Sequence, residues 1–225
     1  MLNLSSEEKA ALKGQGIILS RDQEHFVARI VTQGGVLNAE QLDALSKVAN
    51  QYGNGKVALT SRMSVEVQGI PYENIEPLRQ ALLPCGLASG GTGPKVRPIV
   101  PCKGTVCVHG LIDTQKVSQE LHEKFYEGWH DIKLPSKFKI GVGGCPNNCI
   151  KPGLNDFGIM GQRVPVYDPE KCRGCQTCNV EKTCPMKVCV KADSDKMVRD
   201  SKNCTNCGTY FYVVQGTRYS CKCCR

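Results

Sequence analysis

The chain is poor in the features that mark nucleic-acid binders and membrane proteins. Aromatic residues make up 6% of it, with one tryptophan, so there is no stacking platform for bases, and no recognition-helix motif accompanies the basic residues. No run of about 18 apolar residues occurs. MLNLSSEEKAALKG at the start lacks an apolar stretch behind a basic one, so a soluble, cytoplasmic protein without membrane contact is expected. Histidine is scarce as well: His25, His109, His122 and His130 form no ligand pair, and only His109 lies near a cysteine motif.

What the chain has in excess is cysteine, 15 in 225 residues, grouped in close pairs and triplets. An odd number in tight clusters fits ligation of a soft metal or cluster better than a disulfide framework. Cys102-x4-Cys107 and, some forty residues on, Cys145-x3-Cys149 in GGCPNNC are two pairs flanked by glycine. Together they offer the four thiolates of one iron–sulfur cluster. Gly104, Gly143 and Gly144 would let backbone amides approach the sulfurs and tune the potential. Tetrahedral zinc could use the same four thiolates, although zinc pairs more often have two residues between cysteines.

A further run, Cys172-x2-Cys175-x2-Cys178-x5-Cys184-Pro185, is close to the spacing of a bacterial ferredoxin loop. Two-cluster ferredoxins exchange their fourth cysteines, so Cys184 would join Cys204 and Cys207. The third cysteine expected after Cys207 is Tyr210, leaving Cys221, Cys223 and Cys224 as stand-ins, for one or two ferredoxin-type [4Fe-4S] clusters. A zinc-ribbon or rubredoxin-like knuckle from Cys204, Cys207, Cys221 and Cys223, or an altered terminus, are the alternatives. Cys85 and Cys189 have no partner at ligand spacing and are expected to be free thiols.

Lys and Arg outnumber Asp and Glu 29 to 21, a formal charge of +8. With nucleic acid set aside, the anionic partners that fit are small oxyanions, a polycarboxylate cofactor or an acidic electron carrier. Hydrophobic residues, at 40%, suffice for one core plus a small module stapled by metal.

The patterns predict an α+β fold. HFVARIV reads as a strand. Asn38 caps a helix with Leu42, Leu45, Val48 and Ala49 on one face, stopping at Gly53. KVALT (56–60) and SVEVQGI (64–70) read as strands, and a second helix runs from about Asn74 to Leu83. This is a split βαβ order with helices on one face of an antiparallel sheet. GLASGGTG (86–93) reads as a flexible joint. A second α+β half follows, with KVRPIV leading into Cys102, a helix from about Asp113 to Gly128, KFKIGVGG leading into Cys145, and DFGIMGQ. Phe125, Tyr126 and Trp129 read as core. Tyr167-Asp168-Pro169 marks the next boundary, so three units are expected, at 1–90, 91–166 and 167–225.

TSRMSVEVQGI (60–70), GTGPKVRPIVPCKGTVC (91–107), LPSKFKIGVGGCPNNC (134–149) and NDFGIMG (155–161) together resemble the sirohaem-dependent sulfite and nitrite reductases. The likeness is to the small anaerobic kind that carries its own ferredoxin domain. The first two units would then be a ferredoxin-like half-domain and a sirohaem and [4Fe-4S] half-domain. Cys102, Cys107, Cys145 and Cys149 would hold a [4Fe-4S] cluster, with Cys149 shared with sirohaem iron. Arg62, Arg97, Lys137 and Lys139 match the family's anion-binding positions. Lys137 and Lys139 alternate on a predicted strand, so both ammonium groups would face one side; alone, that pattern also fits a solvated edge strand.

The resemblance implies six-electron reduction of sulfite to sulfide, with electrons entering at the ferredoxin-like module from a ferredoxin or a reductase subunit. Nitrite reduction to ammonia and a non-catalytic iron–sulfur electron-transfer protein are the alternative readings. A single copy of the module suggests a homodimer with shared sites, the alternative being a self-contained monomer.

Overall fold

A computed structural model describes residues 4–194 and 196–209. Tyr210, Cys221, Cys223 and Cys224 lie outside the described residues. The fold class is α+β, with two packed halves followed by a small third unit.

The first half opens with α1 (Ser6–Gly14), whose start is fixed by a reciprocal pair: the Ser5 side chain accepts from the Glu8 amide at 3.1 Å, and the Glu8 carboxylate accepts from the Ser5 amide at 2.7 Å. After β1 (Ile17–Leu19) and β2 (Phe26–Ile30), the same device starts α2 (Ala39–Tyr52), where Asn38 and Gln41 exchange bonds of 2.8 and 3.1 Å. The helix stops at Gly53 and buries Leu45, Val48 and Ala49, whereas Leu42 is 55% exposed. β3 (Val57–Leu59), β4 (Val65–Ile70) and α3 (Ile75–Leu82) complete the half.

The sheet is antiparallel, in the order β1-β2-β4-β3. β2, α2 and β3 form a split βαβ unit with β4 between its strands, and the fourth strand comes from upstream as β1, a three-residue IIL segment. On β2, Phe26, Ala28 and Ile30 point into a core with Leu45, Val48, Val65, Val67, Leu78 and Leu82, while Arg29 points to the opposite face.

The glycine-rich segment after α3 is no flexible joint. Ser89 bridges Ile30, the Val31 amide donates to Ala88 O at 3.0 Å and the Gly90 amide to Arg29 O at 2.9 Å, so residues 88–90 continue the β1 edge of the sheet. Gly90, Gly91 and Thr92 are buried, and the Thr92 hydroxyl donates to Lys13 O. Glycine serves here for close approach between neighbouring backbones.

The second half is a three-stranded parallel sheet, β5 (Val100–Pro101), β6 (Ile140–Gly143) and β7 (Phe157–Met160), in that order. The expected KVRPIV strand shrinks to two residues because Pro98 has no N–H for a ladder, leaving Val96 in an isolated bridge with Phe138. Asp113 caps α4 (Thr114–Leu121), which runs on as a π-helix, His122–Glu127. Val96, Ile99, Ile140 and Val142 form this half's core, with Val117, Leu121 and Phe125 against it. Trp129, read as core, is 42% exposed and meets Phe125 edge-on at 5.0 Å.

In the third unit, α5 (Asn179–Thr183) packs on the hairpin of β8 (Cys189–Lys191) and β9 (Met197–Arg199). Val180, Cys189 and Met197 form its small core, against which Tyr167, Cys172, Cys178 and Cys184 pack. A parallel bridge between Arg163 and Cys207 ties the unit back to the second half. No helix among the described residues is long and apolar enough to cross a membrane.

Candidate active site: a thiol quartet and two half-buried guanidinium groups

Two neighbouring strands of the second sheet each run into a cysteine. The Cys102 amide donates to Val142 O at 2.9 Å, extending the parallel pairing, so Cys102 follows β5 directly and Cys145 follows β6 after Gly144. The Gly144 amide donates to Cys102 Sγ at 3.1 Å. The two loops touch where both residues are glycine: a Cβ on Gly144 would lie 2.9 Å from Gly104 Cα and 3.3 Å from Cys102 Sγ. Only glycine allows that approach.

Beneath the loops is Thr114, the first residue of α4, fully buried. Its hydroxyl donates to Cys102 O at 2.7 Å and accepts from the Thr105 amide at 3.3 Å. Cys107 closes the turn Gly104–Val106, and Cys149 follows Asn148, whose φ of 57° asparagine tolerates better than most residues.

Burial raises the pKa of the Cys145 thiol. The Asn147 amide opposes the rise, while Cys149, Cys102 and Cys107 add to it by charge repulsion. All four thiols are therefore electrostatic neighbours. None of the described cysteines forms a disulfide, and among the described residues no three His, Cys, Asp or Glu side chains could hold a single metal ion. An all-thiol donor set with an amide hydrogen bond already on one sulfur fits an iron–sulfur cluster, whose ligands surround several irons.

Positive charge gathers at the other end of this parallel sheet, where β5, β6 and β7 begin. Arg62, on the turn between β3 and β4, donates from Nη2 to Pro98 O at 3.0 Å and from Nη1 to Asn155 Oδ1 at 3.3 Å. Arg97 donates from Nη1 to Gly91 O. The Nε of each is buried without a partner among the described residues. Burial lowers both arginine pKa values; Arg97 lowers that of Arg62 further, and Arg29 that of Arg97. A buried guanidinium N–H without an acceptor costs about 1–3 kcal/mol or more. Such donors fit an anionic ligand, either a small oxyanion or a macrocycle carboxylate.

The structure alters the expected strand through Lys137 and Lys139. The regular strand starts at Ile140, and the preceding stretch is held by single contacts: Phe138 O accepts from Arg97 N at 2.8 Å, and the Lys139 amide donates to Asp156 Oδ2 at 2.8 Å. Lys137 is exposed and Lys139 half-buried, on either side of Phe138. Arg62, Arg97, Asn155 and Asp156 thus converge where the Lys139 main chain passes.

In the third unit, Cys172 and Cys178 are half-buried and Cys175 is exposed. Cys184, Cys189, Cys204 and Cys207 line one small cavity of about 40 Å³. Burial alone would raise the Cys184 thiol's pKa, but amides of Val188, Cys189 and Met186, with a side-chain hydrogen bond from Cys189, outweigh it and lower it. Cys189, expected to be a free thiol, forms no disulfide and is buried against Cys184.

Arg29 does not stand out in the sequence. It lies opposite Glu66 in the β2–β4 register and pairs with it at 2.6 Å. A basic residue at an outward position of an alternating strand is the available signal. Thr114 and Tyr126 carry no such signal, because their hydrogen-bond partners lie on distant segments.

Residues 18–85 match the family model described as the nitrite/sulfite reductase ferredoxin-like half domain, and residues 92–214 that of the nitrite and sulphite reductase 4Fe-4S domain. The coenzyme F420-dependent sulfite reductase of Methanocaldococcus jannaschii is 34% identical over 72% of this chain and 26% of its own length. A subunit of the anaerobic sulfite reductase of Salmonella typhimurium is 30% identical over 71% of this chain and 50% of its own. The chain thus spans from about a quarter to about half the length of these relatives. Among solved structures, dissimilatory sulfite reductase I superposes with a TM-score of 0.64, at 22% identity, over 83% of this chain and 49% of that one, a likeness of fold.

Proposed function

The chain belongs to the nitrite and sulphite reductase family, whose 4Fe-4S domain model matches residues 92–214 of its 225, and on that premise we propose that it reduces sulfite to sulfide. The observations that support this reading are the thiol quartet at one end of the parallel sheet and, at the other, Arg62 and Arg97, whose buried Nε groups have no partner among the described residues. A thiol cradle alone would serve a carrier. Guanidinium groups that keep a buried Nε–H without an acceptor among the described residues suit the binding of an anion.

Cys102, Cys107, Cys145 and Cys149 would hold a [4Fe-4S] cluster, with Cys149 shared with sirohaem. When bound, these cofactors would relay from the electron donor the six electrons that, with protons, turn sulfite into sulfide and water. The protein's side chains do the rest. Arg62 and Arg97 hold negative charge by guanidinium N–H bonds, each worth about 1.5–3 kcal/mol when charge-assisted. Lys137 and Lys139, on the outer side, attract the oxyanion and can donate protons as oxygen leaves as water.

The units 1–90, 91–166 and 167–225, each with its own apolar cluster, would divide the work between scaffold, site and electron uptake. Cys172, Cys175, Cys178, Cys184, Cys204 and Cys207 would hold one or two further [4Fe-4S] clusters where a ferredoxin or a reductase subunit docks. A homodimer would let a single-copy chain share its site with a second copy.

Anaerobic purification, absorption spectroscopy, iron and acid-labile sulfide assays, and oxidation of reduced viologen test the reading together. A macrocycle band with sulfite-dependent oxidation is expected. A missing band means an electron carrier, and a band without turnover on sulfite or nitrite means a non-catalytic relative. Faster turnover on nitrite would make ammonia the product.

A further inference from the structure

The Arg97 guanidinium is bonded to Gly91, which Tyr126 holds in turn. The Gly91 carbonyl accepts from Arg97 Nη1, and the Gly91 amide donates to Tyr126 Oη at 3.0 Å. From this geometry we infer that Tyr126 is a positioning residue for Arg97, acting through the glycine strap. The inference rests on the reading of Arg97 as an anion-binding group.

The strap has little freedom to compensate. Gly91 sits at φ +70°, and a Cβ there would lie 2.8 Å from Pro98 Cγ; a Cβ on Gly90 would lie 2.5 Å from Tyr126 Oη. On its other side the strap is fixed to β2 by the Gly90 amide bond to Arg29 O. Tyr126 is fixed as well. It lies in the π-helix, where the Gly128 amide reaches back to Glu123 O at 3.0 Å, and its ring stacks on buried His122 at 4.7 Å. Burial raises the Tyr126 pKa, so the hydroxyl stays neutral and can accept the Gly91 N–H while keeping its own proton.

Removing that oxygen leaves the Gly91 amide without its acceptor and frees the carbonyl that aims Arg97. The ring packing is kept. An anion held by Arg97 would then be bound less well before and during reaction alike, which raises KM more than it lowers kcat.

The test uses the full chain, purified anaerobically with its cofactors, as wild type, Tyr126→Phe and Arg97→Ala. Two quantities are read: amide hydrogen exchange at Gly91, and sulfite affinity from both equilibrium titration and KM with a dye donor. Tyr126→Phe is expected to speed Gly91 exchange about tenfold and to raise KM and Kd for sulfite about threefold to tenfold, with kcat within about twofold. Gly90→Ala, whose Cβ would lie 2.5 Å from the same hydroxyl oxygen and 3.9 Å from the ring carbon that bears it, should raise KM alike, and serves if the Phe variant is poorly loaded. Faster exchange with unchanged sulfite affinity overturns the positioning role while leaving Arg97 in place, provided Arg97→Ala weakens sulfite. If Arg97→Ala binds sulfite like wild type, the reading of Arg97 fails first, and the inference with it.

Discussion

Thr114→Val tests how the two cysteine loops are held together. Valine keeps the shape of threonine and removes only the hydroxyl, which serves Cys102 O at 2.7 Å and the Thr105 amide at 3.3 Å from a fully buried position. Each group left without a partner costs about 1–3 kcal/mol, so the substitution should destabilise by about 2–4 kcal/mol after some relaxation. Thr114→Ser keeps the hydroxyl and loses one methyl, worth about 1 kcal/mol. For a chain of this size about 2–4 °C accompanies each kcal/mol. The apparent melting temperature should therefore fall by about 5–15 °C for Val and about 2–4 °C for Ser, in anaerobic thermal scans at one fixed rate. The iron content of the Val variant should fall with it. A Val variant as stable as wild type, or less damaged than Ser, would refute the claim that this hydroxyl holds the loops.

Three further outcomes are expected. Lys137→Ala, at an exposed position, should keep both cofactors and lose most sulfite turnover; full turnover in the dye assay would remove Lys137 from the site. Deleting residues 168–225 should preserve reduction driven by small artificial donors and slow reduction by a protein donor, and equal loss with both would show instead that the unit supports the fold. Burial holds the His122 imidazole below its ordinary 6.5. The unfolded chain then binds more protons as pH falls below that value, so stability is full above about 6.5 and declines beneath it. Urea midpoints between pH 7.5 and 5 should show this decline, and His122→Phe should flatten it.

Much of the first half is legible because its signals are local. The Asn38 cap, the stop at Gly53 and the alternation of Phe26, Ala28 and Ile30 each depend on neighbours a few residues away. What cannot be read depends on distant partners. The IIL segment is too short to declare itself a strand until β2 pairs with it, and GLASGGTG has joint-like composition yet is pinned by β2, Lys13 and Tyr126. Leu42 shares the helical period of Leu45 and Ala49 yet lies beyond the stripe that the sheet covers. At the site, the paired cysteines stand out as motifs and Arg62 and Arg97 only through the family resemblance, whereas their Nε groups, buried without a partner among the described residues, are visible only in three dimensions. Tyr126 reads as core because its ring is partly so; its hydroxyl acts on a strap 35 residues away.

The central claim, that Cys102, Cys107, Cys145 and Cys149 hold one iron–sulfur cluster joined to sirohaem through Cys149, is tested most directly by Mössbauer and EPR spectroscopy of anaerobically purified protein. Magnetic coupling between the macrocycle iron and a four-iron cluster is predicted in the wild type, and its loss in soluble Cys149→Ser. Zinc on these thiols, or coupling that survives in the serine variant, would contradict it.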